Sequence, residues 1–171
     1  MEIGATGGRI HPYYGVFSPV RGKYIDLVAN QPLPFTDLAF DIGTGTGVLA
    51  RHRVERIVAT DVDACALDCA RENLTRLGLK KQVDVIEADL FPEGHAPLIV
   101  CNPPWLPAQP SSAIEHAIYD PDSRMLRMLP RRAARAHLTP SGEGWLILPD
   151  FAKHPRSVHA RSCRRGSTAP G

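Results

Sequence analysis

The chain has 171 residues, 43% of them hydrophobic and 22% charged, which suits one domain with a real core and sets aside fibrous and low-complexity classes. Its net charge of +2 is uneven: residues 151–171 carry five Lys or Arg and no acid, leaving 15 basic against 18 acidic residues, or −3, in 1–150. A slightly acidic body gives no ground for a general attraction to nucleic acid, and no apolar run approaches the ~18 residues that span a membrane.

Residues 1–19 are rich in Gly, Pro and Tyr without periodicity and read as a loop; MEIGATGGRIHPYY lacks the basic-then-apolar order of a signal peptide, so a cytoplasmic location is expected. VRGKYIDLVAN (20–30) spaces Val20, Tyr24, Leu27 and Val28 as a helix, closed by PLPF. The chain then alternates: strand LAFDI (38–42), a Gly-rich turn, a short helix around VLARHR, strand RIVATD (56–61), helix 63–79, strand VDVIEA (83–88), a loop, and strand APLIVC (96–101). That order predicts parallel βαβ units with right-handed crossovers. A polar loop leads to a helical stretch over 120–138, which Pro130 is expected to kink or split, then a glycine turn, SGEG, and a fifth strand, WLILP (145–149). Arg124, Arg127, Arg131 and Arg135 fall on one stripe of that helix, opposite Leu126, Leu129, Ala133 and Ala136; the stripe suits a solvated face, with a substrate phosphate as the alternative. Cys65, Cys69, Cys101 and Cys163 have no CxxC spacing and are expected to be reduced and structural, and no metal ligands are assigned.

Four strand ends carry polar or glycine residues. DIGTGTG (41–47) places glycines at 43, 45 and 47, where absent side chains let backbone amides approach a ligand. The spacing is GxGxG, with Val48 where the dinucleotide pattern GxGxxG has its third glycine, so a ligand with a carboxylate and amine or a nucleoside is favoured over a pyrophosphate. Asp61 ends the second strand and can accept two hydrogen bonds from ribose hydroxyls, while Asp63 suits the cap of the next helix. Asp89 ends the third strand in the same way and can accept from an adenine amino group or cap the turn at FPEG. In VCNPPWLP (100–107) the prolines cannot donate ladder hydrogen bonds, so the fourth strand stops at Asn102 and a rigid elbow follows. In an open parallel sheet these ends meet in one crevice although they are spread over about 60 positions.

With these residues placed, the chain resembles class I S-adenosylmethionine-dependent methyltransferases, specifically the methyltransferase small domain group that is similar to release-factor glutamine methyltransferases. The resemblance covers residues 13–150 and rests on FSPVRGKYIDLV, FDIGTGTGVLA, ATDVDACALDCARENLTRLGL, IEADLF and VCNPPWLP, in that order. It implies a Rossmann-like three-layer α/β sandwich with a mostly parallel sheet and S-adenosyl-L-methionine as cofactor. Asp41, Gly43, Thr44, Gly45 and Gly47 would hold its methionine part, Asp61 and Val62 the ribose side, and Asp89 with Leu90 the adenine; Asn102 would border the same cofactor. It also implies a planar nitrogen as methyl acceptor, oriented by the Asn102 side-chain oxygen and the Pro103 carbonyl, with Pro104 shaping the elbow and Trp105 stacking on the flat group.

The implied acceptor is a protein glutamine amide, or else an RNA or DNA base amine; no membrane partner is implied. The family fold normally continues after WLILP with two strands in an antiparallel hairpin, whereas AKHPRSVHARSCRRGSTAPG shows hardly any apolar residues and no alternation. Residues 151–171 are therefore expected to form a basic, disordered tail beyond a domain over 1–150, as a C-terminal truncation or altered reading frame would leave it. The edge of the fifth strand would then be exposed, and a cofactor-binding but inactive remnant is the competing reading. The helix after the glycine turn is expected to be truncated, because the interval from Gly47 to Arg56 is shorter than the family's helix there, and the N-terminal helical domain of release-factor methyltransferases is expected to be absent. A nucleotide-linked dehydrogenase is disfavoured by GxGxG and NPPW.

Overall fold

A computed structural model describes residues 2–3, 8–18, 23–48, 54–109, 111, 115, 118–132, 136–150 and 157–164. The elements are, in order, β1 (Glu2–Ile3), β2 (Gly8–Arg9), α1 (Lys23–Ala29), β3 (Leu38–Ile42), β4 (Arg56–Asp61), α2 (Ala64–Arg76), β5 (Val83–Glu87) and β6 (Ala96–Cys101). A 3-10 turn (Pro121–Ser123) then leads into α3 (Arg124–Arg132), followed by β7 (Leu138–Asp150) and β8 (Ser157–Arg164). β1 and β2 pair antiparallel within the stretch expected to be loop.

The six other strands form one sheet in the order β5-β4-β3-β6-β7-β8. β5, β4, β3, β6 and β7 are mutually parallel and β8 runs antiparallel to β7. The fold is the expected Rossmann-like α/β sandwich. Its central strands match their predicted limits because continuous apolar runs such as APLIVC, buried at all six positions, are what a strand covered on both faces requires.

Alternation along each strand divides the core between two faces. Ala39, Ile57, Ala59, Leu98, Val100, Trp145 and Ile147 pack with Ile25 and Val28 of α1 and Leu74 of α2. Phe40, Ile42, Ile99 and Cys101 pack on the opposite side with Leu90 and Leu129 of α3. α2 begins at the Asp63 cap, whose side chain accepts from the Cys65 amide at 2.9 Å, and ends in a Schellman turn at Gly78 (φ +73°), with Leu79 N donating to Leu74 O.

Several expectations are corrected. Residues 157–164, assigned to a disordered tail, form β8 in register with β7 from Glu143↔Arg164 to Asp150↔Ser157, and α1 lies against it. The edge of the fifth strand is thus covered, and one antiparallel strand of the two thought to be missing is in place. β7 begins at Leu138 rather than 145, and SGEG is no turn between elements. The register against β6 jumps from Ala96↔Leu138 to Leu98↔Glu143, so the intervening residues form a bulge inside the strand. Gly142 fits there because a Cβ would lie 3.0 Å from the Pro97 carbonyl. Finally, Pro130 does not split the helical stretch expected over 120–138: after the 3-10 turn, α3 runs through it to Arg132. The helix expected around VLARHR lies outside the described residues apart from Val48, as do the side chains of Arg131 and Arg135; Arg124 and Arg127 are exposed, consistent with a solvated stripe.

Candidate functional site

β3 stands between β4 and β6, and the chain leaves it toward one edge through β4 and β5 and toward the other through β6 and β7. Strand order reverses here, which opens a crevice at the carboxyl ends of β3 and β6. The residues that cap those ends are the glycine turn after Ile42 and Asn102 after Cys101, and Ile42 and Cys101 are direct partners in register.

The turn is held from several sides. Thr44 donates its backbone N–H to Thr60 O on β4 at 2.8 Å and its hydroxyl to Asp41 Oδ2 at 2.7 Å; Gly47 N closes the turn on Thr44 O at 2.9 Å. Gly45 and Gly47 have φ of +55° and +77°, conformations that side chains resist. At Gly47 a Cβ would come within 3.3 Å of Ala70, so glycine also lets α2 pack against the turn, whereas at Gly45 it would meet nothing within 4 Å. Asn73, fully buried on α2, donates to Thr46 O at 3.2 Å and accepts from His11 N at 2.8 Å, tying the turn to the N-terminal segment.

Asp61 ends β4 with each carboxylate oxygen already accepting one backbone N–H, Oδ2 from Gly45 at 3.0 Å and Oδ1 from Asp63 at 3.1 Å. Two lone-pair sites remain on the crevice side of a carboxylate fixed in this way. Asp89, beyond β5, is exposed and lies 3.4 Å from the Arg124 guanidinium. The next residue, Leu90, has φ +76°, an uncommon conformation for leucine, and its carbonyl accepts the buried Thr60 hydroxyl at 2.6 Å.

Asp41 is 3% exposed, and its Oδ1 has no hydrogen-bond partner among the described residues. Burial raises its carboxyl to about 7 from 3.8, with the Thr44 hydrogen bond opposing the shift and the charge of Asp61 adding to it. Burial likewise pushes the Cys101 thiol well up, so it stays protonated; Cys65, Cys69 and Cys101 are all free.

The elbow after β6 is braced by a second segment. Trp105 N and Leu106 N both donate to Ile118 O, at 3.1 and 3.0 Å, and Asp120 N donates to Leu106 O at 2.7 Å. Asp120, 4% exposed, accepts the amides of Met125 and Leu126 at 3.0 Å each, at the start of α3.

These parts enclose a cavity of about 290 Å³. Of the predicted residues, Gly43, Thr44, Gly45, Asp61, Val62, Asp89, Leu90, Asn102 and Pro104 line it. Asp41, Gly47, Pro103 and Trp105 do not: Asp41 stands behind Thr44, Gly47 faces α2, Pro103 is buried, and Trp105 is half-buried beside the cavity. Sequence reasoning missed Gly15, Val16 and Phe17, which border the cavity from the N-terminal segment, and Asp120, Arg124, Met125 and Met128 on the far wall. A sequence signal existed for Asp120, an acid before Pro at the start of a helical pattern, and for Asn73, a polar residue on the buried stripe of α2. Among the described residues the lining carries four carboxylates, Asp61, Asp63, Asp89 and Asp120, against one guanidinium, Arg124, a balance that favours a ligand carrying positive charge.

The sequence matches the methyltransferase small domain over residues 14–161. It is 33% identical over 160 residues to ribosomal RNA small subunit methyltransferase C of Pseudomonas aeruginosa (strain LESB58), covering 88% of this chain and 45% of the relative. It is 37% identical over 126 residues to the release factor glutamine methyltransferase of Mycobacterium tuberculosis (strain ATCC 25618 / H37Rv), covering 66% of this chain and 41% of the relative. The chain thus spans less than half the length of these relatives. Among solved structures, a methyltransferase from Pyrococcus furiosus superposes with a TM-score of 0.61 at 22% identity, covering 84% of this chain and 71% of that one, which concerns the fold alone.

Proposed function

This chain belongs to the methyltransferase small domain family, whose members use S-adenosylmethionine, and from that premise we propose that it transfers a methyl group to a planar nitrogen, that of a protein glutamine side-chain amide. The observation that carries the reading is the convergence of the glycine turn, Asp61, Asp89 with Leu90, and Asn102 with Pro104 on one cavity at a strand-order switch.

The residues present fit the cofactor. Asp61 offers two acceptor sites for ribose hydroxyls, Val62 is 64% exposed beside it as an apolar surface for the nucleoside, and Asp89 with the Leu90 backbone faces the adenine end. The buried Asp41 Oδ1, which lacks a partner among the described residues, suits the ammonium of a methionine laid against the glycine turn. Bound there, S-adenosylmethionine supplies a methyl group on a cationic sulfur that needs no further activation. The protein's contribution is then position and dryness: Asn102 and the Pro103 carbonyl accept the two N–H bonds of a planar amide and turn its nitrogen toward the cofactor side. Trp105, half-buried at the elbow, supplies a flat apolar surface for the acceptor.

A base amine of RNA is the second reading, favoured by the ribosomal RNA methyltransferase among the relatives and by the exposed Arg124 and Arg127. The reading as an inactive remnant rested on two missing strands, of which β8 supplies one. A cytoplasmic location belongs to the same proposal, supported by relatives whose named targets are ribosomal RNA and a release factor; among the described residues no helix is long and apolar enough to cross a membrane.

Methyl-labelled S-adenosylmethionine offered with a glutamine-bearing peptide or with ribosomal RNA separates the readings. Label on the glutamine amide, with a rate nearly flat between about 50 and 200 mM salt because a peptide brings no phosphates to neutralise, is expected. Label on RNA, with binding that falls steeply over that range, would transfer the assignment to the base amine.

A further inference from the structure

We propose that Asp120 is a positioning residue that locks the acceptor elbow to the far wall of the cavity, so that both halves of the site hold one geometry. The proposal rests on the reading of residues 102–105 as the acceptor side. Four observations on one residue carry it. Both carboxylate oxygens are used, on Met125 N and Leu126 N, the first free amides of α3. Its backbone N–H holds Leu106 O, and its carbonyl accepts Ser123 N at 2.9 Å. It lines the cavity while being 4% exposed. Lastly, the turn that brings α3 back onto it contains two consecutive non-glycine residues with positive φ, Asp122 at +57° and Ser123 at +50°.

Such a backbone persists only when its surroundings over-determine it, and here the Asp120 carboxylate is what α3 is folded back to reach. The connection runs on in both directions. Toward the acceptor, Tyr119 pairs with Leu106 as a parallel bridge and Ile118 O holds the amides of Trp105 and Leu106. Toward the cofactor side, Arg124 reaches Asp89, and the Met125 methyl lies 3.8 Å from where a Cβ of Gly43 would be. An ordinary helix cap would serve α3 alone; a cap whose own backbone also fixes the elbow couples the two.

Hydrogen exchange of single backbone amides in the full chain, without ligand, tests this directly. In Asp120→Ala the amides of Trp105 and Leu106 should exchange at least about tenfold faster, in step with those of Met125 and Leu126, while those of β3 and β4 stay unchanged; Asp120→Asn, which keeps one acceptor, should show a smaller change. Acceleration confined to Met125 and Leu126 would make Asp120 a helix cap and overturn the proposal. Should Asp120→Ala fail to fold, Asp120→Asn and Asp120→Ser carry the same comparison, and uniform acceleration through β3 and β4 in both would overturn it too. With a glutamine peptide as acceptor, the variants should lose at least about tenfold in kcat with the KM for S-adenosylmethionine within about threefold, and Asn should recover part of the loss. Failure of the wild-type chain to bind S-adenosylmethionine would count against the functional reading alone, since the exchange pattern is measured without it.

Discussion

Asn102→Ala is expected to bind S-adenosylmethionine within about threefold of the wild type yet transfer its methyl group about 100-fold more slowly, the usual cost of losing one positioning contact near the reacting atoms. Asn102 directly follows β6, half-buried, at the cavity wall beside Pro104. Its backbone place is set by the Ile42↔Cys101 register and by the prolines, none of which the substitution touches. What disappears is the side-chain amide, whose oxygen is the group proposed to accept from the acceptor's N–H. Equal losses in affinity and rate would instead place Asn102 on the cofactor, and an unchanged rate would remove the elbow from the chemistry. The measurement is methyl incorporation under saturating cofactor, beside equilibrium binding.

The second large effect concerns Asp41. Its carboxyl is raised to about 7 from 3.8, so the folded chain without cofactor holds a proton that the unfolded chain has released. Between those values the folded state binds more protons, and stability therefore falls as pH rises through this window, by about 4 kcal/mol once both states are ionised. Asp41→Asn is neutral throughout and should be more stable than the wild type above pH 7, by about 1 to 3 kcal/mol after allowance for an amide N–H that lacks a partner. The same exchange should weaken the hold on a ligand ammonium. Wild-type affinity for S-adenosylmethionine should rise up to about tenfold per pH unit toward 7 and level off above it, until the ligand's amino group loses its own proton near pH 8. The Asn variant should be flat below 7. Thermal unfolding and cofactor titration between pH 5 and 8 read both effects; a wild-type stability independent of pH in this range would contradict the burial account.

Much of this was legible in the sequence for definite physical reasons. LAFDI, RIVATD and APLIVC are short apolar runs bounded by turn residues, and a strand buried on both faces leaves little freedom in its limits. The polar residues at their ends could be grouped before any fold was known because parallel strands carry their carboxyl ends to one side. Asp63 as the cap of α2 and Asp61 at the strand end were separable by the same logic.

What escaped depends on tertiary closure. SVHARSCR has too few apolar residues to announce a strand, yet β7 offers it an unpaired edge, and backbone hydrogen bonds need no particular side chain. SGEG reads as a turn, but its glycines are used where β7 bulges against the Pro97 carbonyl. Gly15, Val16 and Phe17 reach the cavity only because Asn73 and the Val16 contact with Ala66 and Cys69 hold the N-terminal segment on α2. Arg124, Met125 and Met128 reach it only because the chain doubles back at Asp122 and Ser123. Neither approach leaves a periodic trace, so motif reasoning found the sheet side of the site and missed the wall that faces it.

The most direct test of the account is calorimetric titration of the chain with S-adenosylmethionine and with its demethylated product, beside Asp61→Ala. Stoichiometric binding by the wild type, tighter for the cationic cofactor than for the neutral product and weakened about 100-fold in the variant by loss of two charge-assisted hydrogen bonds, is the predicted result. A folded wild-type chain that binds neither ligand, or a variant that binds as well as the wild type, would contradict the assignment of the crevice.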